Sequence, residues 1–426
     1  MKRLTIFFAA AMASAGLWAS DPMSTNYSAL QCCGTMMPYP AVAAAGNSTP
    51  DSLTAVMINH VGRHGSRYAA SATHCTTLRE ALLGAEAQKT ITATGRKLLA
   101  LTDYVMSVSA NRWGALDSLG EAEQRAIATR MFDHYTDVFT KGRVEAVSSY
   151  SPRCMMSMYA FTHQLARLDN HVEVTTGSGR RYSTLLRPFD VSYDYQDFRK
   201  SNAWRPAYDQ YVASVCPTTA IRRAVGEGYE FETEADAREL AMTEYYVLAS
   251  LEAMGLEFDS KSYFTADELN ALWSCFNLRE YLQRSASTIS STPADIAAEL
   301  LQELISTTDA ATKAKGADYA SVILRFGHAE TLLPLLSLLR LPGCYYLTNY
   351  FDTVGLHWRN FEIAPMSANI QLILYRAKGS GRYYVSLLLN EQPVALIPNS
   401  DEVIVAWDTA RTFMERCIPL YASVTE

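Results

Sequence analysis

The pattern of apolar and polar positions predicts a chain in which buried strands alternate with helices. Three short apolar runs, at 54–60, 144–149 and 319–326, have the length and composition of buried strands. Each is followed by a polar or glycine-containing turn and then by a helical segment. Two further runs, 370–375 and 383–389, flank a glycine-containing turn, which is typical of an antiparallel hairpin.

Helical spacing of apolar residues follows each of the first three strands. Five segments show it: 78–88, 94–108, 121–139, 155–168 and 331–339. Ser118 and Glu121 have the spacing of a capping box and predict where the third helix begins.

The alternation of strands and helices predicts an α/β fold, with a mostly parallel sheet flanked by helices on both faces. From about residue 190 the strand signal weakens and polar helical segments predominate, which predicts an inserted, mainly α-helical second domain. The resulting division is a signal peptide at 1–20, an extended lead-in at 21–50, the first part of the α/β core at 51–189, the helical insert at 190–315, and the second part of the core at 316–426.

The first residues are typical of a signal peptide. Lys2 and Arg3 precede an apolar run, 4–12, and then the small residues 13–15. The apolar stretch is too short for a spanning helix, and no later stretch is long enough. We therefore expect an exported protein, periplasmic or secreted, without a membrane span.

Cysteine number and net charge narrow the chemistry. Eight cysteines, an even number, are compatible with disulfide pairing in an oxidising compartment, although the connectivity stays open. None of them forms a CxxC pair, which gives little support to zinc. The formal net charge of -7 argues against a general nucleic-acid partner, since such proteins need a basic surface.

Three strand-end turns carry chemically useful side chains. These turns, at 62–67, 152–154 and 327–330, follow strands of the same predicted sheet, and ligands in open α/β sheets bind at the carboxyl ends of strands. Together they supply what the cleavage of a phosphomonoester requires, namely cations for the phosphate oxygens, a nucleophile and a proton donor.

The individual side chains fit these roles. The guanidinium groups of Arg63, Arg67 and Arg153 match phosphate oxygens, and the carboxyl group of Glu330 is a candidate general acid. Spacing alone leaves open whether His64 or His328 attacks the phosphorus. Taken singly, each residue has a simpler explanation. A histidine in such a turn is more often structural, and a loop arginine is usually a surface cation. A glutamate at the start of a helix can simply stabilise the helix through its interaction with the helix dipole.

The combined motifs resemble a known family. The segment 63–67, Arg-His-Gly-Ser-Arg, is similar to the signature of the histidine phosphatase superfamily in its acid-phosphatase branch. Further similarity lies at 116–131, at 149–158 and at 390–391. Most acid phosphatases of this branch carry His-Asp where residues 328–330 read His-Ala-Glu, which resembles the multiple inositol polyphosphate phosphatases.

The resemblance implies a role for each matching residue and a class of substrate. It implies that His64 is phosphorylated, that Glu330 donates the proton, and that the scissile phosphate is bound by Arg63, Arg67, Arg153 and His328. It also implies a small-molecule substrate, inositol hexakisphosphate and lower inositol phosphates, and no cofactor. The chemistry of these side chains by itself requires no metal. Five cations of the 180–205 region are candidates for the remaining phosphates: Arg181, Arg187, Arg199, Lys200 and Arg205.

Two alternatives stay open at this level. One is a broad acid phosphatase that acts on sugar phosphates or other small esters. The other is a catalytically inactive exported protein that only captures phosphorylated ligands. A protein that only binds has no need of Glu330, and the presence of nucleophile, cations and acid together therefore favours an enzyme.

Overall fold

A computed structural model describes residues 26–41, 49–314 and 319–420. The predicted signal peptide, 1–20, lies outside them. The strands are β1 Leu53–Arg63, β2 Arg143–Ser148, β3 Val174–Ser178, β4 Ala320–Gly327, β5 Asn369–Ala377, β6 Tyr383–Leu389, β7 Gln392–Val394 and β8 Ile404–Ala406.

The helices lie before, between and after these strands. They are α1 Thr73–Ala87, α2 Ala93–Ser109, α3 Ser118–Thr140, α4 Pro152–Leu168, α5 Ser183–Leu186, α6 Pro188–Val191, α7 Tyr193–Lys200, α8 Arg205–Val215, α9 Thr219–Val225, α10 Glu234–Ala249, α11 Ala266–Arg284, α12 Thr292–Asp295, α13 Ala298–Lys313, α14 Ala329–Leu338, α15 Val354–His357, α16 Asn360–Ile363 and α17 Trp407–Cys417. Short 3₁₀ turns occur at Gln31–Met36, Arg180–Tyr182, Glu252–Met254, Ser260–Ser262 and Phe351–Thr353.

The strands form one mixed sheet. Its order is β3-β2-β4-β1-β5-β6-β7, and β8 also pairs with β6. The first four strands in this order are parallel to one another, whereas β5 to β8 pair antiparallel. The predicted hairpin of β5 and β6 is confirmed. Because β1, β2 and β4 are parallel and adjacent, the segments that follow them leave the sheet at the same edge.

Helices cover both faces, as the apolar pattern predicts. Along β1, Met57 and Val61 face a core shared with α13, α14 and α17, whereas Ile58 faces a core shared with α3 and α4. Neighbouring residues of a strand point to opposite faces. A strand buried on both sides therefore reads as a continuous apolar run, the pattern expected of parallel strands.

Between β3 and β4 the described residues form helices and 3₁₀ turns without a strand. Helices α9, α10 and α11 of this region share a third core with α1, α2 and part of the lead-in. The predicted division at 190 and 315 stays a prediction. The lead-in is not simply extended, because it contains a 3₁₀ turn whose Cys32, Cys33 and Thr35 are buried.

Two local predictions need correction. Helix α3 is capped by Asp117, whose side chain accepts from the backbone N–H of Leu119 at 2.9 Å, and Ser118 is the first helical residue instead of the cap. Arg153 does not lie in a loop: α4 begins at Pro152, a residue well suited to the first helical position.

The described residues can be compared with two predictions, disulfide pairing and the lack of a membrane span. All eight cysteines lie in the described residues as free, buried thiols, so the predicted disulfide pairing is not seen. Across the described ranges, no helix combines the length and apolar character that a bilayer crossing requires. Export itself stays a prediction.

Candidate active site

The register of β1 and β4 brings the two histidine turns together. Arg63 pairs with Gly327 at the end of the parallel ladder, so His64 and His328 leave the sheet side by side. Their ring centroids are 5.6 Å apart. The backbone N–H of His64 donates to the carbonyl of Gly327 at 3.0 Å and extends the pairing by one step.

Helix α3 holds the turn after β1 through two polar side chains. The carboxylate of Glu123 accepts from the Ser66 N–H and hydroxyl, at 2.9 and 2.6 Å, and from the hydroxyl of Ser367 at 2.7 Å. The amide of Gln124 donates to the carbonyl of Arg63 at 3.0 Å. All these groups are buried. These hydrogen bonds therefore hold the backbone of the turn at Arg63 and Ser66 against α3.

Gly65 lets this turn approach α3 closely. A Cβ built on Gly65 would lie 2.4 Å from the carbonyl oxygen of Gly120, and one built on Gly120 would lie 2.2 Å from the carbonyl oxygen of Ser66. Real Cβ atoms do not approach backbone oxygens so closely, and backbone on both sides cannot move away cheaply. The signature glycine is therefore required for packing.

We expect Gly65→Ala to destabilise the fold by about 1–3 kcal/mol, the usual cost of overpacking, and to reduce activity by displacing His64. Urea unfolding would measure the change in midpoint. Gly84→Ala is the matched control, because a Cβ there meets nothing nearer than the Tyr229 ring at 3.9 Å. It should be neutral or stabilise its helix by up to about 1 kcal/mol. Equal effects of the two substitutions would contradict this packing argument.

His64 is held as a neutral imidazole with a defined tautomer. Its Nδ1 lies 2.9 Å from the carbonyl oxygen of Gly65, which can only accept, so Nδ1 carries the proton and Nε2 keeps its lone pair. Burial lowers the pKa of His64 well below its usual value, and the charges of Arg153, Arg63 and Arg67 lower it further. The ring therefore stays available as a nucleophile in acidic solution.

Three arginines surround this histidine. Burial, with mutual repulsion, lowers the pKa of Arg63 to about 10 and that of Arg67 to about 9, so both are charged at neutral pH. Arg63 donates from Nη1 to the carbonyls of Thr35 and Ala364. Within the described residues, the buried Nε atoms of Arg63, Arg67 and Arg153 have no hydrogen-bond acceptor. Buried cations need partners, and a phosphate group would supply the acceptors.

His328 belongs to the same cluster. Its Nε2 lies 2.7 Å from Nη1 of Arg187 and 3.1 Å from the hydroxyl of Ser149, and its Nδ1 lies 3.4 Å from Nη2 of Arg153. Burial, with these neighbouring arginines, lowers the pKa of His328 to about 3 although Glu330 opposes the shift. A guanidinium can only donate, and a neutral imidazole has one accepting nitrogen. The contact with Arg187 is the shorter one, so we assign Nε2 as the acceptor and the ring proton to Nδ1, and the 3.4 Å approach of Arg153 to Nδ1 is then not a hydrogen bond.

Glu330 lies in the first turn of α14 and forms an ion pair that the sequence did not indicate. Its Oε1 is 3.0 Å from Nη2 of Arg284. Burial raises the pKa of Glu330, but the charge of Arg284, with contributions from His328 and Arg63, lowers it more, and the pKa of the carboxyl lies below its usual range. Without a ligand, the candidate acid is ionised.

The structure thus brings together the six principal residues of the predicted site, whose roles stay predictions. Of the five additional cations, Arg187 joins them through its contact with His328. Four are exposed and have no described contact with the six: Arg181, Arg199, Lys200 and Arg205. They stay candidates for contacts with a larger ligand.

Three further residues of the site were not predicted. Glu123 and Gln124 were detectable as buried polar residues on the apolar face of a helix, one turn from Ile127 and Ala128. Arg284 had no such signal. Over the described ranges, no group of three or more histidine, cysteine, aspartate or glutamate side chains is arranged to hold a metal ion.

Comparison with known proteins places the chain in a class. Residues 56–390 match the model of the histidine phosphatase superfamily (branch 2). The chain belongs to this family, so the resemblance predicted from the sequence is confirmed and the protein is a histidine-type phosphatase.

More specific similarity is to the multiple inositol polyphosphate phosphatases. The chain is 25% identical over 388 residues to multiple inositol polyphosphate phosphatase 1 of Homo sapiens, an alignment that covers 84% of this chain and 77% of that protein. Identity to the protein of the same name from Gallus gallus is 23% over 396 residues, covering 87% and 83%.

Solved structures confirm the predicted α/β architecture. The multiple inositol polyphosphate phosphatase of Bifidobacterium longum, in complex with inositol hexasulfate, superposes with a TM-score of 0.75 at 16% identity, covering 93% of this chain and 100% of that chain. The phytase from D. castellii gives 0.72 at 18% identity, covering 92% and 86%. At these identities the likeness concerns the fold.

Proposed function

We propose that the protein hydrolyses phosphate monoesters of inositol polyphosphates such as phytate through a phosphohistidine intermediate. The observation that carries this proposal is the meeting of a neutral, oriented His64 with three arginines at one edge of the sheet, of which Arg63 is buried and Arg67 and Arg153 are half-buried. Export to the periplasm or medium is part of the proposal and rests on the amino-terminal sequence pattern alone.

The first chemical step follows from the groups present. Nε2 of His64 attacks the phosphorus, and the bond from phosphorus to the ester oxygen breaks. Arg63, Arg67 and Arg153 hold the three remaining phosphate oxygens, on which negative charge is concentrated. Glu330, once protonated, gives its proton to the departing inositol oxygen, because an alkoxide is a poor leaving group.

The second step returns the protein to its starting state. Water attacks the phosphohistidine, the phosphorus–nitrogen bond breaks, and the carboxylate of Glu330 accepts a proton from the water. Inorganic phosphate leaves, and the His64 ring is again neutral. His328 assists both steps as a neutral donor through Nδ1, because Arg187 occupies its Nε2.

Two observations support a substrate with several phosphates. The curated relatives are named for action on inositol polyphosphates, and a structural neighbour was solved with inositol hexasulfate. In this chain, Arg187 and Arg180 both lie against the ring of Tyr150, with their guanidinium carbons 4.7 and 4.8 Å from its centroid. Because Arg187 is paired with Asp190 at 2.6 Å, the positive charge beyond the position of the reacting phosphate rests mainly on Arg180.

The test is release of phosphate from phytate by the purified protein, followed by separation of the inositol phosphate isomers over time. We expect turnover of phytate and stepwise lower inositol phosphates. Glucose 1-phosphate should be hydrolysed with a lower kcat/KM, because it has no second phosphate for the outer cations. Preference for glucose 1-phosphate would favour a broad acid phosphatase, and binding without turnover would favour a capture protein.

A further inference from the structure

We propose that Arg284 is a positioning residue that keeps Glu330 ionised in the free enzyme and releases it for protonation when a substrate phosphate binds. The inference rests on the proposed function, because it concerns how the proposed proton donor obtains its proton.

Arg284 lies between two carboxylates from different helices. It is the last residue of α11, where its Nη1 is 3.1 Å from Oε1 of Glu280, one helical turn earlier. Its Nη2 is 3.0 Å from Oε1 of Glu330 on α14. One guanidinium thus joins the proposed acid to a second carboxylate that has no part in the proposed chemistry.

The two carboxylates are not equivalent partners. The side chain of Glu280 is 4% exposed and that of Glu330 is 31% exposed. Glu280 also accepts from the hydroxyl of Thr35 at 3.0 Å, whose carbonyl accepts from Arg63. If Glu330 becomes neutral, Arg284 keeps Glu280 and is not left as an unpaired buried cation, which would be costly. Arg284 can therefore lose its ion pair with Glu330 and still keep Glu280 as a carboxylate partner.

The charges around Glu330 explain why release would depend on substrate. Arg284, His328 and Arg63 lower the pKa of this carboxyl against the opposing effect of burial. The other charged or titratable groups with which it interacts are Arg67, Cys154 and Tyr195. A phosphate dianion between Arg63, Arg67 and Arg153 would offset the positive charge that faces Glu330. Its pKa would rise, because a nearby negative charge disfavours the carboxylate.

Proton balance is simple in this scheme. On substrate binding, Glu330 takes one proton from solvent and its ion pair with Arg284 is lost. The same proton passes to the inositol oxygen as the ester bond breaks, and Glu330 returns to the carboxylate. Hydrolysis of the phosphohistidine then supplies a proton from water, and that proton leaves to solvent with the departure of phosphate.

The pH dependence of phytate hydrolysis tests the inference. The alkaline limb of the kcat/KM profile reports the pKa of the general acid in the free enzyme. The alkaline limb of the kcat profile reports its pKa in the enzyme–substrate complex. A general acid works only while protonated, so a higher pKa moves the limb to higher pH. For Arg284→Met we expect the kcat/KM limb to move up by about 1–3 pH units, the usual effect of a neighbouring opposite charge, and to approach the kcat limb.

Glu280→Gln should act in the opposite direction. With Glu280 neutral, the whole charge of Arg284 acts on Glu330, and the kcat/KM limb should move to lower pH. Arg284→Lys keeps the charge and should stay near the wild-type limb. Arg79→Met, which removes an arginine from an exposed ion pair with Asp103, is the matched control and should leave both limbs in place.

Opposite shifts in Arg284→Met and Glu280→Gln would support the inference, since a merely structural role cannot produce them. Lower rates with unmoved limbs would overturn it. If Arg284→Met does not fold, the double variant Arg284→Met with Glu280→Gln removes both charges, and its limb should still move up; an unmoved limb overturns the inference. A wild-type protein without turnover of phytate would instead overturn the proposed function.

Discussion

His64→Ala should lose at least about 10⁴-fold in kcat with phytate. The nearby Cys154 is not a substitute, because burial raises the pKa of its thiol to about 11 and keeps it protonated. His328 is not a substitute, since its Nε2 accepts from Arg187 and its ring is edge-on to that of His64. Binding of inositol hexasulfate should persist, because Arg63, Arg67 and Arg153 remain.

The measurement is phosphate release together with rapid mixing. Wild type should give a burst of the first inositol product and a covalent phosphoenzyme that survives alkaline quenching. His64→Ala should give neither. His134→Ala is the control, because that histidine is exposed on α3 away from the site. Undiminished turnover by His64→Ala, or phosphoenzyme trapped on another residue, would show that the nucleophile is wrongly assigned.

Glu330→Gln should lower kcat with phytate by about 10²–10⁴-fold, the usual contribution of a general acid. The glutamine keeps the size of the side chain but cannot donate a carboxyl proton. The loss should be much smaller with p-nitrophenyl phosphate, because nitrophenolate leaves without protonation. Comparing the two losses isolates proton donation from a general disturbance of the site.

A matched control is Glu121→Gln, which changes a partly exposed glutamate that pairs with Arg125 at the start of α3. It should leave both substrates unaffected. If Glu330→Gln slowed the two substrates equally, Glu330 would contribute to binding or folding, and the proton donor would have to be sought elsewhere. The difference between the losses with the two substrates is therefore the informative result.

Strands β1 and β4 were predictable because each buries residues on both faces. More than half of the residues in each of these strands are apolar, and this pattern can be recognised without knowledge of the partner strand. Strand β3 was missed because Val174–Ser178 reads Val-Thr-Thr-Gly-Ser and is half exposed at the sheet edge. Its carboxyl end nevertheless leads into the segment that carries Arg180 and Arg187.

The site residues that could be predicted are those that lie in sequence motifs next to strands. His64 and Glu330 follow strands directly, and the order of the sheet alone brings their turns to one edge. The contact of Arg284 with Glu330 could not be predicted, since it depends on how α11 packs against α14. The sequence consequently suggested an acid but gave no indication that a cation neutralises it at rest.

The lead-in contacts both the candidate site and the helical region that follows β3. Thr35 supplies an acceptor to Arg63 and a donor to Glu280, and the carbonyl of Cys32 accepts from the hydroxyl of Tyr245. A shortened chain beginning at β1 would keep every motif of the family and lose the contacts of Thr35 with Arg63 and Glu280. A shortened chain that begins upstream of Cys32 is expected to keep these contacts.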